Sequence, residues 1–346
     1  MPAHRALVIT GPGSMSLQSV ADAAPGPAEA AVRPAYVGIC GTDLELLAGD
    51  VDPDYVRYPL VPGHEWSGIV EATGPGVTGL EPGQRVIVEG IVPCRVCARC
   101  IRGETNLCEH YDELGFTRAG AAADQVIVPA QLVHVLAPSV SMPEAALAEP
   151  AAVAWRALGR GRPRPGERVA VVGDGTVGLI AAHLAGLSSP AEVVVHGLRA
   201  DQAGLAAALG ATGFEVSSAD QGAAHGTARA GRYDLVIEAA GTPAAVESAI
   251  RLARRGGRIV LLGLAGNGAT ARLPIDDVVN NDLQISASFG YTSGAWSEVA
   301  NLLSSGSVRL GPLITHRFPL DAYAAAYQAL RDGGGPRGKV LLEVTP

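Results

Sequence analysis

The feature that most constrains the fold is a glycine-rich turn between an apolar strand and an apolar helix. The segment Arg168–Val172 is followed by Gly173-Asp174-Gly175-Thr176-Val177-Gly178 and then by an Ala/Leu-rich stretch. In this pattern Gly173 permits a tight turn, Gly175 lets a pyrophosphate approach the backbone, and Gly178 lets helix and strand pack closely. The helix N-terminus beyond the turn donates N–H groups to phosphate. The turn therefore predicts a dinucleotide site, and the alternative is a turn with only a packing role.

The chain around this turn alternates short apolar strands with helical segments. Strands are predicted at Arg168–Val172, Glu192–Val195, Asp234–Glu238, Arg258–Leu262 and Gln284–Ser288. Helices are predicted at Thr176–Ala185, Asp201–Leu209, Pro243–Ala253 and Ile275–Val279. Such alternation is typical of an α/β fold with a doubly wound parallel sheet. We assign residues 151–286 to this Rossmann domain, with the polar stretch 217–230 as a mobile surface region.

The first 150 residues have a different character and are predicted to be β-rich. Strands separated by Gly and Pro are expected at Arg5–Thr10, Glu29–Ile39, Ser67–Ala72, Gln84–Glu89 and Ala123–Leu136. The tail is predicted to hold helices near Trp296–Ser304 and Leu320–Leu330 and a last strand at Lys339–Val344.

Four cysteines form the strongest single pattern. The spacing Cys94-x2-Cys97-x2-Cys100-x7-Cys108 puts four thiols on one short loop, at about residues 90–110. Four thiolates can enclose a tetrahedral Zn²⁺ and leave no position for a substrate, so the predicted zinc is structural. Unligated thiols and an iron–sulfur cluster are the alternatives.

The end of the second strand bears on which dinucleotide binds. Enzymes that use NAD place an Asp or Glu there for the ribose 2′-hydroxyl, and this chain has Gly197, with Arg199 two residues later. Glycine makes room for a 2′-phosphate, and a guanidinium can pair with it through two charge-assisted hydrogen bonds. The sequence thus predicts NADP(H) in preference to NAD(H). His196 could assist or be a strand-end histidine.

Composition excludes several classes of partner. The chain has 346 residues, 48% hydrophobic residues and a formal net charge of −8 with scattered basic residues. We therefore expect small-molecule substrates and neither nucleic acid nor a membrane as partner. No membrane-spanning run and no secretory signal is seen, so we expect a cytoplasmic protein with reduced thiols.

Two further segments carry a Cys and a His: Gly38-Ile39-Cys40-Gly41-Thr42-Asp43 and Pro62-Gly63-His64-Glu65-Trp66-Ser67-Gly68. Alone, Cys40 is equally a small buried apolar residue and His64 a structural histidine. With the glycine turn and the four cysteines, however, these segments resemble the zinc-dependent medium-chain dehydrogenase/reductase (alcohol dehydrogenase) family, nearer to its polyol (sorbitol-type) branch. The resemblance runs along essentially the whole chain, as far as Thr315-His316-Arg317-Phe318-Pro319-Leu320.

The resemblance implies a fold and a set of metal ligands. The fold is a catalytic domain of GroES-like β topology, from residues 1–150 and 287–346, plus the Rossmann domain. Cys40 and His64 are implied as ligands of a catalytic zinc, with Glu149 at the domain junction as the third. Glu65 is then a carboxylate beside the metal or a transient ligand, and Asp43 orients His64 by accepting its other ring N–H. Two zinc ions per chain are expected, together with a homodimer or homotetramer.

The resemblance also implies the reaction. An alcohol bound at the zinc is deprotonated and passes a hydride to the nicotinamide. Thr42 occupies the position at which the family starts a proton relay. Glu45 stands where many relatives end that relay with a His, so the outlet for the proton is left open.

A narrower resemblance concerns two stretches, Tyr58–Gly68 and Glu113–Arg118, which look like those of deoxy-scyllo-inosamine (aminocyclitol) dehydrogenases. The expected substrate is accordingly a secondary alcohol of polyol, cyclitol or aminocyclitol type. The alternatives are an NADPH-dependent carbonyl reductase of a specialised pathway, a zinc-free quinone or enoyl reductase, and a non-catalytic NADPH-binding protein. Cys40, His64 and Glu149 together argue against the zinc-free enzymes.

Overall fold

A computed structural model describes residues 2–217, 231–266, 268–332 and 335–344, and the chain in it divides into two compact units. Unit 1 comprises Met1–Glu149, Tyr291–Gly334 and Lys339–Pro346, and unit 2 comprises Pro150–Gly290 and Gly335–Gly338. The domain boundaries assigned from the sequence, 1–150 with 287–346 and 151–286, remain a prediction. The surface region predicted at 217–230 lies, from residue 218 on, outside the described residues.

Unit 1 is built mainly on antiparallel strands, with one parallel pair, β16–β17. Its strands are β1 (Ala3–Gly11), β2 (Ser14–Ala21), β3 (Glu29–Ile39), β4 (Glu65–Thr73), β5 (Arg85–Val88), β6 (Ile91–Val92), β7 (Asp112–Glu113), β8 (Val126–Pro129), β9 (Val133–Val135), β16 (Ile314–Pro319) and β17 (Lys339–Glu343). A seven-stranded sheet has the order β16-β17-β3-β4-β5-β9, with β8 also paired to β3. The pairs β1–β2 and β6–β7 form separate two-stranded sheets. This is the GroES-like β-rich domain that the sequence predicts.

The helices of unit 1 are short and flank these sheets. They are α1 (Gly41–Ala48), α2 (Ala98–Ile101), α3 (Met142–Ala145), α9 (Ser293–Ser304) and α10 (Tyr323–Asp332). The central strand β3 has buried residues on both faces, and Val32, Val37 and Trp66 lie in the unit's main apolar cluster. Removal of this apolar surface from water is the chief source of the unit's stability.

Unit 2 contains a six-stranded, entirely parallel sheet. Its strands are β10 (Arg168–Val172), β11 (Glu192–Gly197), β12 (Gly213–Val216), β13 (Tyr233–Glu238), β14 (Ala253–Leu261) and β15 (Gln284–Ala287). The strand order is β12-β11-β10-β13-β14-β15, which is that of the Rossmann fold. Strands β11 and β12 are added on one side of β10, and strands β13 to β15 are added on its other side. The connecting helices are α5 (Thr176–Ala185), α6 (Ala203–Ala208), α7 (Pro243–Leu252) and α8 (Ile275–Asn280). Helix α4 (Ala148–Gly161) precedes β10.

Strand β10 is buried from Val169 to Val172, because a parallel sheet is covered on both faces. Its continuous apolar run, without polar alternation, is the pattern from which the sheet was predicted. Among the described residues, no helix has the length and apolarity to cross a membrane.

Candidate functional site

The ends of β3 and β4 bring Cys40 and His64 together. Gly38 pairs with Glu65 in the antiparallel register, so the residues that follow β3 and precede β4 meet at one end of the sheet. Cys40 is the residue immediately before helix α1, and its backbone N–H donates to Asp43 Oδ2 at 2.8 Å. Gly63 has a φ of +103°, and a Cβ there would lie 3.0 Å from the Ala122 nitrogen. Only glycine fits this approach to His64 without strain.

The resulting cluster has the donors of a metal site. The ligand atoms of Cys40, His64 and Glu65 lie within 4.8 Å of one another, and His64 and Glu65 are only 5% and 2% exposed. One thiolate, one imidazole and a carboxylate are ligands that Zn²⁺ takes at catalytic sites, where a fourth position stays open. The residues present therefore fit the metal that the resemblance implies. Thr42 Oγ1 lies 3.8 Å from Cys40 Sγ.

Glu149 lies close to this cluster but is not a member of the three-donor set found among the described residues. It is the second residue of α4, and part of its side chain reaches the surface. Desolvation of its carboxyl group, and then the negative charge of Glu65, raise its pKa to about 8. Glu149 is thus near enough to interact with Glu65 and His64. The carboxylate whose oxygen lies within 4.8 Å of both Cys40 and His64, however, is that of Glu65.

Asp43 approaches His64 without a hydrogen bond. Asp43 Oδ1 lies 3.8 Å from His64 Nδ1, and both side chains are buried. That separation is too long for the hydrogen bond implied by the resemblance, so the interaction in this structure is only coulombic. Burial lowers the pKa of His64, but the Asp43 carboxylate and the Cys40 thiol outweigh burial and raise it well above its ordinary value.

Lys339 is a member of the site that the sequence analysis missed. Its Nζ lies 2.5 Å from Glu65 Oε2 and donates to the Ile39 carbonyl at 3.3 Å, and the residue is only 4% exposed. Burial lowers the pKa of Lys339, but the charges of Glu65 and Cys40 raise it by more, so the ammonium form is favoured. The signal available in the sequence was that Lys339 is the only lysine of the chain.

Glu113 is a second group that the sequence analysis did not place here. It ends β7, in a turn that continues through Gly115 and packs against Gly63 and His64. The Phe116 ring contacts the His64 ring, with centroids 5.1 Å apart. Desolvation raises the pKa of Glu113 to about 7, although the charge of His64 opposes the shift.

Glu45 is exposed on α1, one turn beyond Thr42. Its backbone carbonyl accepts hydrogen bonds from Gly49 and Asp50. The structure brings Thr42 to Cys40, and the role of Glu45 in a proton relay remains a prediction.

The four cysteines of the 94–108 loop converge as their spacing predicts. Their sulfur atoms lie within 4.8 Å of one another, and the cysteines are free rather than disulfide-bonded. Zinc–sulfur bonds of about 2.3 Å in a tetrahedron require sulfur separations of about 3.8 Å, so the set fits a closed zinc site. Backbone N–H groups of Cys100 and Glu109 lower the pKa of Cys97 to about 6, which favours the thiolate that metal needs.

The glycine turn of unit 2 has the geometry of a dinucleotide loop. Gly173 has a φ of +123°, and a Cβ on Gly178 would overlap the Gly173 carbonyl oxygen. A Cβ on Gly175 would meet nothing within 4 Å, so the backbone there is open to a ligand. Thr176 and Val177 begin helix α5 directly after this position.

The end of β11 differs from the prediction in one respect. Gly197 is buried, and the space beside it is not empty, because a Cβ on Gly197 would lie 2.6 Å from Asp174 Oδ2. Arg199 is partly buried, and its Nη1 donates to the Gly335 carbonyl at 3.3 Å. His196 is buried, with Nε2 3.3 Å from the Tyr233 hydroxyl, which agrees with a structural strand-end histidine.

Comparisons with known proteins agree with this geometry. Residues 26–138 match the family described as alcohol dehydrogenase GroES-like domain, and residues 176–305 match zinc-binding dehydrogenase. The chain is 34% identical to L-threonine 3-dehydrogenase of Saccharopolyspora erythraea, with 99% of each chain covered. It is 32% identical to sorbitol dehydrogenase of Macaca fascicularis, over 100% of this chain and 97% of the relative.

Solved structures give the same result. A zinc-binding dehydrogenase of Sinorhizobium meliloti, bound to NADP, superimposes with a TM-score of 0.91 at 28% identity, covering 99% of this chain and 100% of that chain. The narrower likeness to aminocyclitol dehydrogenases stays a prediction.

Proposed function

Since the chain belongs to the zinc-dependent alcohol dehydrogenase family of medium-chain dehydrogenases and reductases, we propose that it transfers a hydride between a secondary alcohol and NADP. The alcohol is of polyol, cyclitol or aminocyclitol type. The observation that carries the proposal is the cluster of Cys40, His64 and Glu65, the last two of them buried, in a chain that also has a dinucleotide loop. A zinc-free reductase or a non-catalytic NADPH-binding protein has no need of these donors.

We assign the metal ligands as Cys40, His64 and Glu149. Glu65 already has a cation partner in Lys339, with the two charged atoms 2.5 Å apart. Desolvation and the negative charge of Glu65 raise the pKa of Glu149 by more than the positive charges of His64 and Lys339 lower it, so further positive charge would favour its carboxylate form. A divalent cation would supply that charge, and Glu65 would remain beside it as a transient ligand.

Zinc in this position would act as a Lewis acid and lower the pKa of an alcohol hydroxyl. The residues around it do the rest. Asp43 and His64 form a buried pair that holds the imidazole near Cys40. The Thr42 hydroxyl, next to Cys40, is the first group to take the proton, and Glu45 is the candidate outlet. The same residues serve carbonyl reduction in the reverse direction.

NADP(H) is the proposed cofactor, for two reasons. No acidic residue stands at Gly197, and the Arg199 guanidinium is at the strand end where a 2′-phosphate would lie. A homologous structure bound to NADP, from Sinorhizobium meliloti, supports the same choice. We further propose a structural zinc at Cys94, Cys97, Cys100 and Cys108, and a homodimer or homotetramer in the cytoplasm, where thiols stay reduced.

The test is nicotinamide reduction by the purified, zinc-loaded protein on linear polyols, sugars, cyclitols, aminocyclitols and simple secondary alcohols, with NADP and NAD in parallel. Turnover with NADP on one of these classes is expected, and His64→Gln should abolish it. A protein that turns over none of them, nor the matching ketones with NADPH, contradicts the proposed activity. Turnover with NAD alone contradicts the proposed cofactor but agrees with the proposed reaction.

A further inference from the structure

An acidic side chain lies at the end of β11 although the last residue of the strand is Gly197 and not an acid. Asp174, the second residue of the glycine turn, reaches across from the end of β10. Its Oδ2 accepts the backbone N–H of Leu198 at 3.1 Å and that of Arg199 at 3.2 Å. Both N–H donors that follow the strand are therefore taken by one carboxylate oxygen.

Gly197 is what makes this arrangement possible. A Cβ at that position would lie 2.6 Å from Asp174 Oδ2 and 2.7 Å from Asp174 Cβ, so a larger residue would push Asp174 away. The room beside Gly197 is thus occupied by a carboxylate from the neighbouring turn. The carboxylate comes from the turn after β10 but stands where enzymes that use NAD place their strand-end acid.

The position of Asp174 is fixed from both sides. Its carbonyl accepts a hydrogen bond from Gln202 Nε2 at 2.7 Å, and Gln202 is fully buried. Gln202 Nε2 also donates to the Arg337 carbonyl at 2.9 Å, while the Arg337 N–H donates to Gln202 Oε1 at 2.8 Å. Hydrogen bonds to its side chain and to its main chain therefore both hold Asp174 in place.

We propose that Asp174 is a specificity-determining residue of the cofactor site, whose carboxylate opposes the 2′-phosphate of NADP and accepts the ribose 2′-hydroxyl of NAD. The inference rests on the proposed binding of the dinucleotide at the glycine turn. A 2′-phosphate carries close to two negative charges and needs N–H donors, and here Asp174 both repels it and occupies two donors. Arg199 acts in the opposite sense. The ratio of NADP to NAD affinity is the balance of these two side chains.

The test is equilibrium binding of NADPH and NADH, followed by nicotinamide fluorescence, to wild type and to Asp174→Asn. Asparagine keeps the size of the side chain and a carbonyl acceptor for the N–H groups but removes the charge. The ratio of the NADH Kd to the NADPH Kd should rise about tenfold in the variant. Asp174→Ser, which also frees the two N–H groups, should raise that ratio at least as much. Asp201→Asn, an exposed carboxylate on the following turn, is the matched control and should leave the ratio unchanged.

Three results would overturn the inference. The first is an unchanged ratio in both variants. The second is an equal gain in affinity for both cofactors, which would mean that the charge of Asp174 acts on the pyrophosphate. The third is loss of binding to both cofactors. Wild-type protein that binds NADH more tightly than NADPH contradicts the proposed NADP preference and not the role of Asp174. The change of ratio between wild type and variant measures that role directly.

Discussion

The contact between Lys339 and Glu65 joins opposite charges that water scarcely reaches. Their side chains are 4% and 2% exposed, and the charged atoms lie 2.5 Å apart. Desolvation of two ions is costly, and their mutual attraction offsets this cost only while both are present. Removal of either partner leaves a buried charge without compensation.

We therefore predict that Lys339→Met lowers the free energy of unfolding by about 3–5 kcal/mol. The double variant Glu65→Gln/Lys339→Met should be more stable than the sum of the single effects implies, because neither charge is then left alone. Urea unfolding of the four proteins in this cycle measures the coupling energy.

The exposed pair Arg33–Glu71 provides the matched control. Its side chains are 36% and 37% exposed and its charged atoms are 3.4 Å apart. A coupling energy of at most about 1 kcal/mol is expected there. If the Lys339–Glu65 cycle is as weakly coupled as this one, the buried pair has no special role.

At the scale of single residues, spacing alone predicted the metal donors only for the four cysteines of the 94–108 loop. Cys40 and His64 were implied by the family resemblance of the segments that carry them. Lys339 and Asp174 were missed because each reaches its partners through strand pairing. Lys339 meets Glu65 only because β17 and β4 both pair with β3. Asp174 meets Leu198 only because β10 lies beside β11.

Among the elements, the glycine turn before α5 separates two functions of glycine. Gly175 adopts an ordinary negative φ, and an added Cβ would meet nothing within 4 Å. Gly178 packs its Cα against the Gly173 carbonyl, where a Cβ would overlap. The first glycine keeps space for a ligand, and the second lets the helix approach the strand.

These environments predict opposite outcomes for two alanine substitutions. Gly175→Ala should leave the melting temperature within about 2 °C of wild type, since surface substitutions cost little, but raise the Kd for NADPH at least about tenfold. Gly178→Ala should lower the melting temperature by several degrees because the backbone must shift. Thermal unfolding and cofactor titration of both variants provide the check. Equal loss of stability in the two would contradict the assignment.

The sequence predicted the elements of unit 2 better than those of unit 1. Strands β10, β11 and β13 were predicted because buried parallel strands are short and mostly apolar, and β15 was predicted although it is mostly exposed. The run Ala123–Leu136 was predicted as one strand, but it forms β8 and β9, which pair with β3 and β5 respectively. A turn at Ala130–Leu132, directly after Pro129, separates the two strands.

Among the elements that were not predicted, β2 and α4 have identifiable reasons. Strand β2 has mostly exposed, polar residues and is defined by its pairing with β1 rather than by alternation. Helix α4 begins before Pro150, where a proline looks like a helix end but is tolerated because the first turn needs no N–H donor. Local pattern is weak in both cases, and tertiary pairing decides the outcome.

Considered as a whole molecule, the chain has two kinds of chemistry in its two units. The donors proposed for metal, Cys40, His64 and Glu149 with the four cysteines, all belong to unit 1, and the dinucleotide turn belongs to unit 2. The two proposed metal sites differ in burial and in donor type, and their donors come from different segments of unit 1. Each should therefore bind its zinc independently of the other, and both should do so without the nicotinamide cofactor.

The proposed pair of zinc sites is tested by the zinc content per chain of wild type, Cys40→Ser and Cys97→Ser, measured by mass spectrometry of the metal after gel filtration. Wild type should contain two zinc ions and each variant one. Cys40→Ser should lose turnover, because its remaining zinc is the structural one. It should still bind NADPH, because the dinucleotide turn belongs to unit 2. Wild-type protein with fewer than two zinc ions after reconstitution, or Cys40→Ser protein that keeps both, would contradict the proposed catalytic zinc.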